Sequence, residues 1–456
     1  MDLIIADLLP AAIFAAVFPM IFFGGELVRR RFPTRPELSR KFVHCAGGLA
    51  ALFFPFVLHS PVTVPLLASI FAGIILLTKR KGLLRSVHGV ERRSSGAIYF
   101  PVALTLLYFL GRERPVFYII SVLALTMSDS LAALAGTRYG VITYEVEEGR
   151  KSLEGSLVFF FITFLCVHLP LLLLTGLGRP ESVLIALVIA LLVTGFEAIS
   201  LEGSDNLFVP LGTYFILVKM TPYPLEVIVE QTLILFLIIL VSLALTLVQK
   251  VFKPSGLIGL ILVNYAGWSL CDVTWFLPLL LAQLLLYSLV LRFRQLVPED
   301  ITNYQVKVLF YTSIVPVALI FAANASGAYQ YLYLPFLASV VSQIMIILAY
   351  FLSIARWENQ QVHSLQSGTL LRGLFCSGTA TAVIAVPVLA LYPSGPFWLE
   401  TGEVLLATFA AFWFFQLATA RLAEDAHGWI ARQRIRMAAS AAAAGLVLLL
   451  QLIVGR

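Results

Sequence analysis

Residues 115–174 read PVFYIISVLALTMSDSLAALAGTRYGVITYEVEEGRKSLEGSLVFFFITFLCVHLPLLLL, two apolar runs on either side of one polar segment. The polar segment holds an aspartate, Asp129, then closely spaced glycines, and then the basic sequence Gly149-Arg150-Lys151-Ser152. A carboxylate, glycines that permit close approach and a basic loop are what a magnesium-nucleotide site requires. The apolar flanks place this chemistry at the edge of a membrane.

Composition indicates that the whole chain is embedded in a bilayer. Of its 456 residues 60% are apolar and only 12% are charged, whereas soluble domains carry about 25% charged residues. Apolar runs of roughly 18 to 22 residues recur, which is the length of a membrane-spanning helix. Backbone groups in lipid must bond internally, so the spans are helices. We therefore predict an all-α, polytopic integral membrane protein with about 14–16 transmembrane helices.

Sixteen candidate spans can be centred on the sequence. They lie near residues 14, 52, 70, 104, 125, 165, 190, 213, 238, 263, 282, 313, 342, 381, 411 and 447. Those near 52, 213 and 263 are weak and are predicted to be re-entrant or interfacial. The first run, residues 3–24, lacks the basic start of a signal peptide and is predicted to be a retained helix.

The net charge of +6 is unevenly distributed along the chain. Basic residues fall almost entirely in alternate loops, around 29–41, 79–93, 138–151, 250–253, 292–294, 356 and 432–436. By the positive-inside rule these loops are cytoplasmic and the N-terminus is outside. The basic surplus thus indicates topology and contact with anionic lipid, and it does not indicate nucleic-acid binding.

Polar clusters are concentrated in one half of the chain. Residues 1–225 contain nearly all of them, whereas residues 226–456 read as spans joined by short loops. The sequence therefore predicts a membrane-embedded functional domain over 1–225 and an additional multi-span domain of unknown role over 226–456. The four cysteines lie apart in apolar segments, which favours neither a zinc site nor a disulfide framework.

Two clusters precede the polar segment. Arg40, Lys41 and His44 share a helix face, with His44 about one turn into an apolar run. The stretch 91–101, ERRSSGAIYFP, places Arg93 near two hydroxyls at the start of a span, and arginine binds phosphate with a forked geometry. The alternatives are a juxtamembrane anchor for the first cluster and an ordinary helix cap for the second.

The polar segment itself carries two clusters. Asp129 lies on one helical stripe with Ala132, Ala133, Gly136 and Gly140. An ionisable residue inside a span is a functional candidate by default, although the small residues alone would also suit helix packing. The following loop, Gly149–Ser156, offers Arg150 and Lys151 to phosphates, and the next helix start can face an anion. It does not match a Walker A loop.

The last cluster follows a later span. Glu197 lies near the end of that span, and Glu202, Asp205 and Asn206 come directly after it. We expect Glu197 and Asp205 to complete a Mg²⁺ shell begun by Asp129. The alternative is that Asp205 and Asn206 cap a helix.

These five clusters resemble, in order, the motifs of the dolichol kinase and phytol kinase family, to which CTP-dependent diacylglycerol kinases also belong. The motifs are R-K-x-x-H, E-R-R-S-x-G, D-x-x-A-A-x-x-G-x-x-x-G, K-S-x-E-G-S and E-x-x-x-x-x-G-x-D-N-x-x-x-P, over about residues 38–212. The chain departs from the family at Ser128, where many members have glycine, and in continuing for over 200 residues beyond the last motif.

The resemblance implies an enzyme that transfers a phosphoryl group from a nucleotide, usually CTP, to the hydroxyl of a membrane lipid alcohol. Phytol, polyprenol, dolichol and diacylglycerol all qualify as the acceptor, and Mg²⁺ is the expected cofactor. By the resemblance, the nucleotide-binding loop would be Lys151, Ser152, Glu154 and Gly155, the aspartate motif Asp129, and the late D-N motif Asp205 and Asn206. Together with the clusters above, the residues expected to be catalytic are Asp129, Lys151, Glu197 and His44. Those expected to bind the nucleotide are Arg93, Gly136, Gly140, Arg150, Lys151, Ser152, Glu154 and Gly155.

The metal ligands expected from this assignment are Asp129, Asp205 and Glu197, at the cytoplasmic face. The general base is left open between Asp129, Glu197 and His44. Phosphatidate cytidylyltransferases share two of the motifs, but their closing S-x-x-K-R-x-x-x-K-D signature is absent here. A cation-coupled transporter is the rival from another class, although the acids cluster at the membrane edge and not at its midplane.

Overall fold

The computed structural model describes residues 2–81, 84, 86, 96–146, 149–249, 252–293, 306–358, 367–392, 395–420, 422 and 426–455. The chain folds into two compact units, Met1–Leu233 and Ile234–Arg456. The sequence placed its division at residue 225, in the same region of the chain.

The first unit consists of helices and one small hairpin. In order these are α1 (Asp2–Arg31), α2 (Pro36–Ala51), the short α3 (Phe54–Val57), α4 (Thr63–Arg80), α5 (Gly96–Gly111), α6 (Pro115–Leu123), a π-helical segment (Ala124–Ser128), α7 (Asp129–Tyr139), β1 (Thr143–Val146), β2 (Gly149–Ser152), α8 (Leu153–Leu174), α9 (Arg179–Ile199) and α10 (Asp205–Met220). The next helix, α11 (Leu225–Gln249), carries the boundary between the units.

The described part of the second unit is helical. It contains α12 (Pro254–Leu270), α13 (Val273–Phe293), α14 (Val306–Ser326), α15 (Tyr329–Glu358), α16 (Ser367–Ala380), a π-helical segment (Thr381–Ala385), α17 (Val386–Leu391), α18 (Phe397–Thr419) and α19 (Ala426–Val454). Its core is built around α15, because 94% of the apolar window in Tyr329–Leu352 is buried.

The prediction of an all-α, polytopic membrane protein is confirmed. In the described residues, 12 helices are long and apolar enough to cross a membrane, and they match twelve of the sixteen candidate centres. The other four centres lie on or beside α2, α5, α10 and α12, which have 16, 16, 16 and 17 residues. Three of these four are the ones that the sequence marks as weak. The count of full-length spans is therefore lower than the 14–16 expected.

The span around Asp129 is one continuous helical stretch, Pro115–Tyr139. It widens into a π-helical turn at Ala124–Ser128, immediately before the aspartate. Such turns interrupt the regular register of a helix and often occur at functional sites. Ser128, which departs from the glycine of the resembled motif, is fully buried here, and its Oγ lies 2.9 Å from the Thr163 hydroxyl of α8.

The polar segment after α7 is a hairpin, which the sequence analysis read as a loop. Strands β1 and β2 pair antiparallel, with Tyr144 opposite Lys151 and Glu145 opposite Arg150. Successive side chains of a strand point to opposite faces. The hairpin therefore sends Arg150 and Lys151 in opposite directions.

The second unit contains buried polar residues that the sequence analysis did not anticipate. Asn264 and Gln283 are hydrogen-bonded at 3.0 Å, and Arg436 donates to Gln343 at 2.6 Å. All four line a small cavity of about 90 Å³. Arg436 is only 6% exposed, so it does not lie on the surface. The sequence analysis placed nearly all polar clusters in residues 1–225 and did not find this one, because the amides and the arginine are far apart in sequence and meet only in the folded unit.

The orientation of the span Pro115–Tyr139 can be tested with single cysteines in a background without the four native ones. Glu113 precedes this span and Val141 follows it, and both are exposed. The positive-inside rule predicts that Val141→Cys reacts with a membrane-impermeant maleimide only from the cytoplasmic side, and Glu113→Cys only from the opposite side. The reverse pattern would overturn the predicted topology.

Candidate functional site

A cavity of about 630 Å³ in the first unit collects most of the predicted site residues. Its polar end is lined by side chains from α2, α7, β2, α9 and α10, namely Glu37, Arg40, Lys41, His44, Asp129, Lys151, Glu197, Asp205 and Asn206. Four of the five sequence clusters therefore meet in one place. In the remaining cluster, residues 91–101, Arg93 lies outside the described residues, whereas the described part from Gly96 to Pro101 contributes to the cavity lining.

Asp129 is the centre of the polar end. Its Oδ1 accepts a hydrogen bond from Lys41 Nζ at 2.5 Å, and its Oδ2 lies 3.5 Å from His44 Nε2. Lys41 is 3% exposed, so this is a buried ion pair and not a surface one. Glu37 Oε1 lies 4.0 Å from the same ammonium. Lys41 and His44 of the R-K-x-x-H motif therefore both lie against the Asp129 carboxylate.

Lys151 and Glu197 form a second ion pair in the same cavity. Lys151 Nζ donates to Glu197 Oε1 at 2.7 Å and also to the Glu197 backbone carbonyl. The backbone carbonyl is also bonded by the Ser200 hydroxyl, at 2.9 Å, which fixes the end of α9. Arg150 is exposed and does not line the cavity. The strand geometry therefore separates Arg150 from Lys151, and the nucleotide-binding role expected of Arg150 stays a prediction.

Asp205 begins α10 after a tight turn in which Glu202 and Gly203 adopt positive φ. Its Oδ1 is buried and has no hydrogen-bond partner among the described residues, and the same holds for Asn206 Oδ1. Burial, together with the negative charge of Asp129, raises the pKa of Asp205 to about 6. Two carboxylates thus face one cavity, and a further cation between them would relieve their repulsion.

The residues present fit a divalent cation in their chemistry, although they do not form a ready-made centre. Among the described residues, no three His, Cys, Asp or Glu side chains are grouped closely enough to hold a metal ion. Glu197, one of the three expected ligands, is occupied by Lys151. Asp205 Oδ1 and the Asp129 carboxylate are the oxygens that suit Mg²⁺, which takes one or two carboxylates together with phosphate oxygens.

The glycines of the predicted nucleotide site are accounted for by helix packing. A Cβ on Gly136 would lie 2.9 Å from Ser152 Oγ, and one on Gly140 would lie 2.4 Å from the Gly136 carbonyl. A Cβ on Gly155 would lie 3.2 Å from the Ala132 carbonyl. These glycines let α7 and α8 approach closely. None of the three lines the cavity.

Ser152 and Glu154 also have structural contacts. Ser152 caps α8, because its Oγ accepts from the Gly155 N–H at 3.1 Å. Glu154 Oε1 accepts from the N–H groups of Val141 and Ile142 at 3.0 Å each. These bonds brace the connection from α7 to the hairpin. Of the predicted K-S-x-E-G loop, only Lys151 lines the cavity.

The cavity continues from its polar end into an apolar channel, which the sequence analysis did not anticipate. Its apolar walls come from α1, α3, α4 and α5, with lining residues Phe18, Ile21, Phe22, Phe54, Val64, Leu67, Phe71, Ile75, Phe100 and Leu104. Along α4 the lining runs from Val64 to Lys79, a rise of about 22 Å at 1.5 Å per residue. A polar head group and an apolar tail can therefore occupy one continuous space.

Comparison of the sequence with known proteins finds a similar protein. The chain is 34% identical over 199 residues to a protein named phytol kinase from Synechocystis sp., a match that covers 43% of this chain and 84% of that protein. No protein-family model matches the chain, and no solved structure matches it. With a relative at this identity covered over most of its length, the chain belongs to the phytol kinase family.

Proposed function

We propose that this protein is a lipid alcohol kinase that phosphorylates the hydroxyl of a membrane isoprenoid alcohol such as phytol or a polyprenol. The observation that carries the proposal is the single cavity in which buried ionisable residues adjoin an apolar channel. Such a cavity suits a substrate with one hydroxyl and a long hydrocarbon tail. CTP as the phosphoryl donor is proposed from the family resemblance alone.

Phosphoryl transfer requires mainly positioning and charge stabilisation from the protein. Lys151 from β2 and Arg40 from α2 both line the polar end, where their charges can neutralise phosphate oxygens. Asp129 and Asp205 would hold Mg²⁺, which supplies positive charge to the transferred phosphoryl group. Lys41 keeps Asp129 in place, and the apolar channel excludes water from the tail side.

His44 is the best candidate for the general base. Asp129 already accepts from Lys41, and Glu197 already accepts from Lys151. His44 Nε2 is buried at the cavity and has no hydrogen-bond partner among the described residues. It can therefore accept the proton of a lipid hydroxyl, with the Asp129 carboxylate stabilising the resulting imidazolium.

The alternatives make different products. A cytidylyltransferase would attach CMP to a lipid phosphate, and a transporter would leave both lipid and nucleotide unchanged. Purified protein incubated with Mg²⁺ and either γ-labelled or α-labelled CTP, together with phytol, a polyprenol, diacylglycerol or phosphatidate, separates them. A γ-labelled lipid monophosphate supports the proposal. An α-labelled lipid, or no labelled lipid with any nucleotide, would refute it.

Replacing Asp129 tests the central carboxylate. Asp129→Asn keeps the size of the side chain but removes its charge, and Glu37 remains near Lys41 as a counter-charge. We expect activity to fall on the order of 10²-fold or more, as for other lost electrostatic contributions. The measurement is the rate of lipid phosphorylation by protein that elutes as wild type in gel filtration. A rate within a few-fold of wild type would remove Asp129 from the mechanism.

The hairpin geometry provides a matched pair of variants at neighbouring cations. Lys151→Ala removes the ammonium that lines the cavity and should abolish most activity, whereas Arg150→Ala should retain activity within a few-fold. Asp272→Asn is a control in the second unit, where this exposed carboxylate bonds its own turn at Thr274. Initial rates and nucleotide affinity should be compared for all three. Loss of activity in Asp272→Asn together with retained activity in Lys151→Ala would contradict the proposal, because it would place the active site in the second unit.

A further inference from the structure

The apolar channel ends at a cluster of aromatic rings. Phe54 lines the cavity and is 4% exposed. Its ring packs edge-on against the Phe14 ring, with the ring centroids 4.8 Å apart. The centroids of the Phe54 and Phe18 rings are 6.4 Å apart. Phe18 in turn lies 4.4 Å from Phe71 of α4. Rings from α1, α3 and α4 therefore close the end of the channel that is farthest from Asp129.

Hydrogen bonds hold the chain segment next to these rings in place. Behind Phe54, the Tyr108 hydroxyl donates to the Leu58 carbonyl at 2.8 Å. The buried Asp7 carboxylate accepts from the N–H groups of His59 and Ser60, at 2.8 Å each. These bonds tie the segment after α3 to α1 and α5. A hydrocarbon tail cannot push through this end without breaking buried hydrogen bonds.

We propose that Phe54, supported by Phe14 and Phe18, sets the maximum tail length of the alcohol that this enzyme accepts. The inference rests on the proposed function and concerns the far end of the same cavity. A tail that reaches the rings while its hydroxyl lies at His44 fills the channel, and a longer tail keeps the hydroxyl from that position.

Gly47 is the natural point at which to shorten the same channel. It lines the cavity one turn beyond His44, and a Cβ there would lie 3.7 Å from Phe18 and 3.8 Å from Phe100. A larger side chain must therefore enter the channel. The adjacent Gly48 faces the other way, since its Cβ would lie 1.8 Å from Thr126. A larger residue at position 47 should therefore shorten the channel, and a smaller residue at position 54 should lengthen it.

The test compares kcat/KM for farnesol, geranylgeraniol and longer polyprenols, using full-length protein in lipid nanodiscs. Phe54→Ala should raise the ratio of long to short alcohols at least about tenfold, and Gly47→Val should lower it by at least about tenfold, because hydrophobic pockets discriminate single groups by such factors. Phe53→Ala is the matched control, because Phe53 is the adjacent phenylalanine, is 60% exposed and does not line the cavity. Its profile should equal that of wild type.

A second Phe54 variant and a binding measurement complete the test. Phe54→Leu enlarges the end of the channel less than Phe54→Ala and covers the case in which the alanine variant fails to fold. Native mass spectrometry of the same proteins reports the longest alcohol that stays bound, independently of catalysis. An unchanged length profile in Gly47→Val and in Phe54→Leu would overturn the inference even if phosphorylation is normal. Absent phosphorylation with a shifted binding profile would refute the proposed function and support the tail-length limit.

Discussion

The site depends on one buried ion pair, Lys41 with Asp129. A carboxylate inside a membrane-spanning helix is costly unless a partner and hydrogen bonds compensate for lost water. Lys41 supplies that partner from α2, and Glu37 and His44 extend the network on the same helix. Removing one member of a buried pair typically costs about 3–5 kcal/mol. The pair therefore holds α2 against the span that carries Asp129. It also holds in place the polar end of the cavity, which these two helices line.

The position of this pair explains why the cavity has two kinds of lining. α2 presents charged residues over its first two turns and glycines over its next, so one helix borders both the polar end and the start of the channel. The second ion pair, Lys151 with Glu197, closes the polar end from β2 and α9. Both lysines are neutralised by carboxylates in the structure. In the proposed function Lys151 would bind nucleotide phosphates, and Asp129 and Asp205 would hold Mg²⁺ beside them.

Local sequence patterns were sufficient to predict the helices and most of the polar end. Apolar run length identified the spans, and the cost of an intramembrane carboxylate singled out Asp129 and Glu197. The partner of Asp129 could not be predicted from the same patterns, because Lys41 lies 88 positions away. The apolar channel was also missed, since its lining phenylalanines have the composition of any lipid-facing or core residue. The packing roles of Gly136, Gly140 and Gly155 depend on α8 crossing α7, which periodicity does not reveal.

The central claim is that the lipid tail and the Asp129 cluster share one cavity in the first unit. It is tested most directly by photocrosslinking with an isoprenoid alcohol that carries a diazirine near the end of its tail, followed by peptide mapping. The account predicts adducts on the channel lining, at residues such as Phe71, Leu104 and Phe54, and competition by unlabelled phytol. Adducts confined to lipid-facing residues such as Phe53 and Leu77, or to the cavity of the second unit, would contradict it.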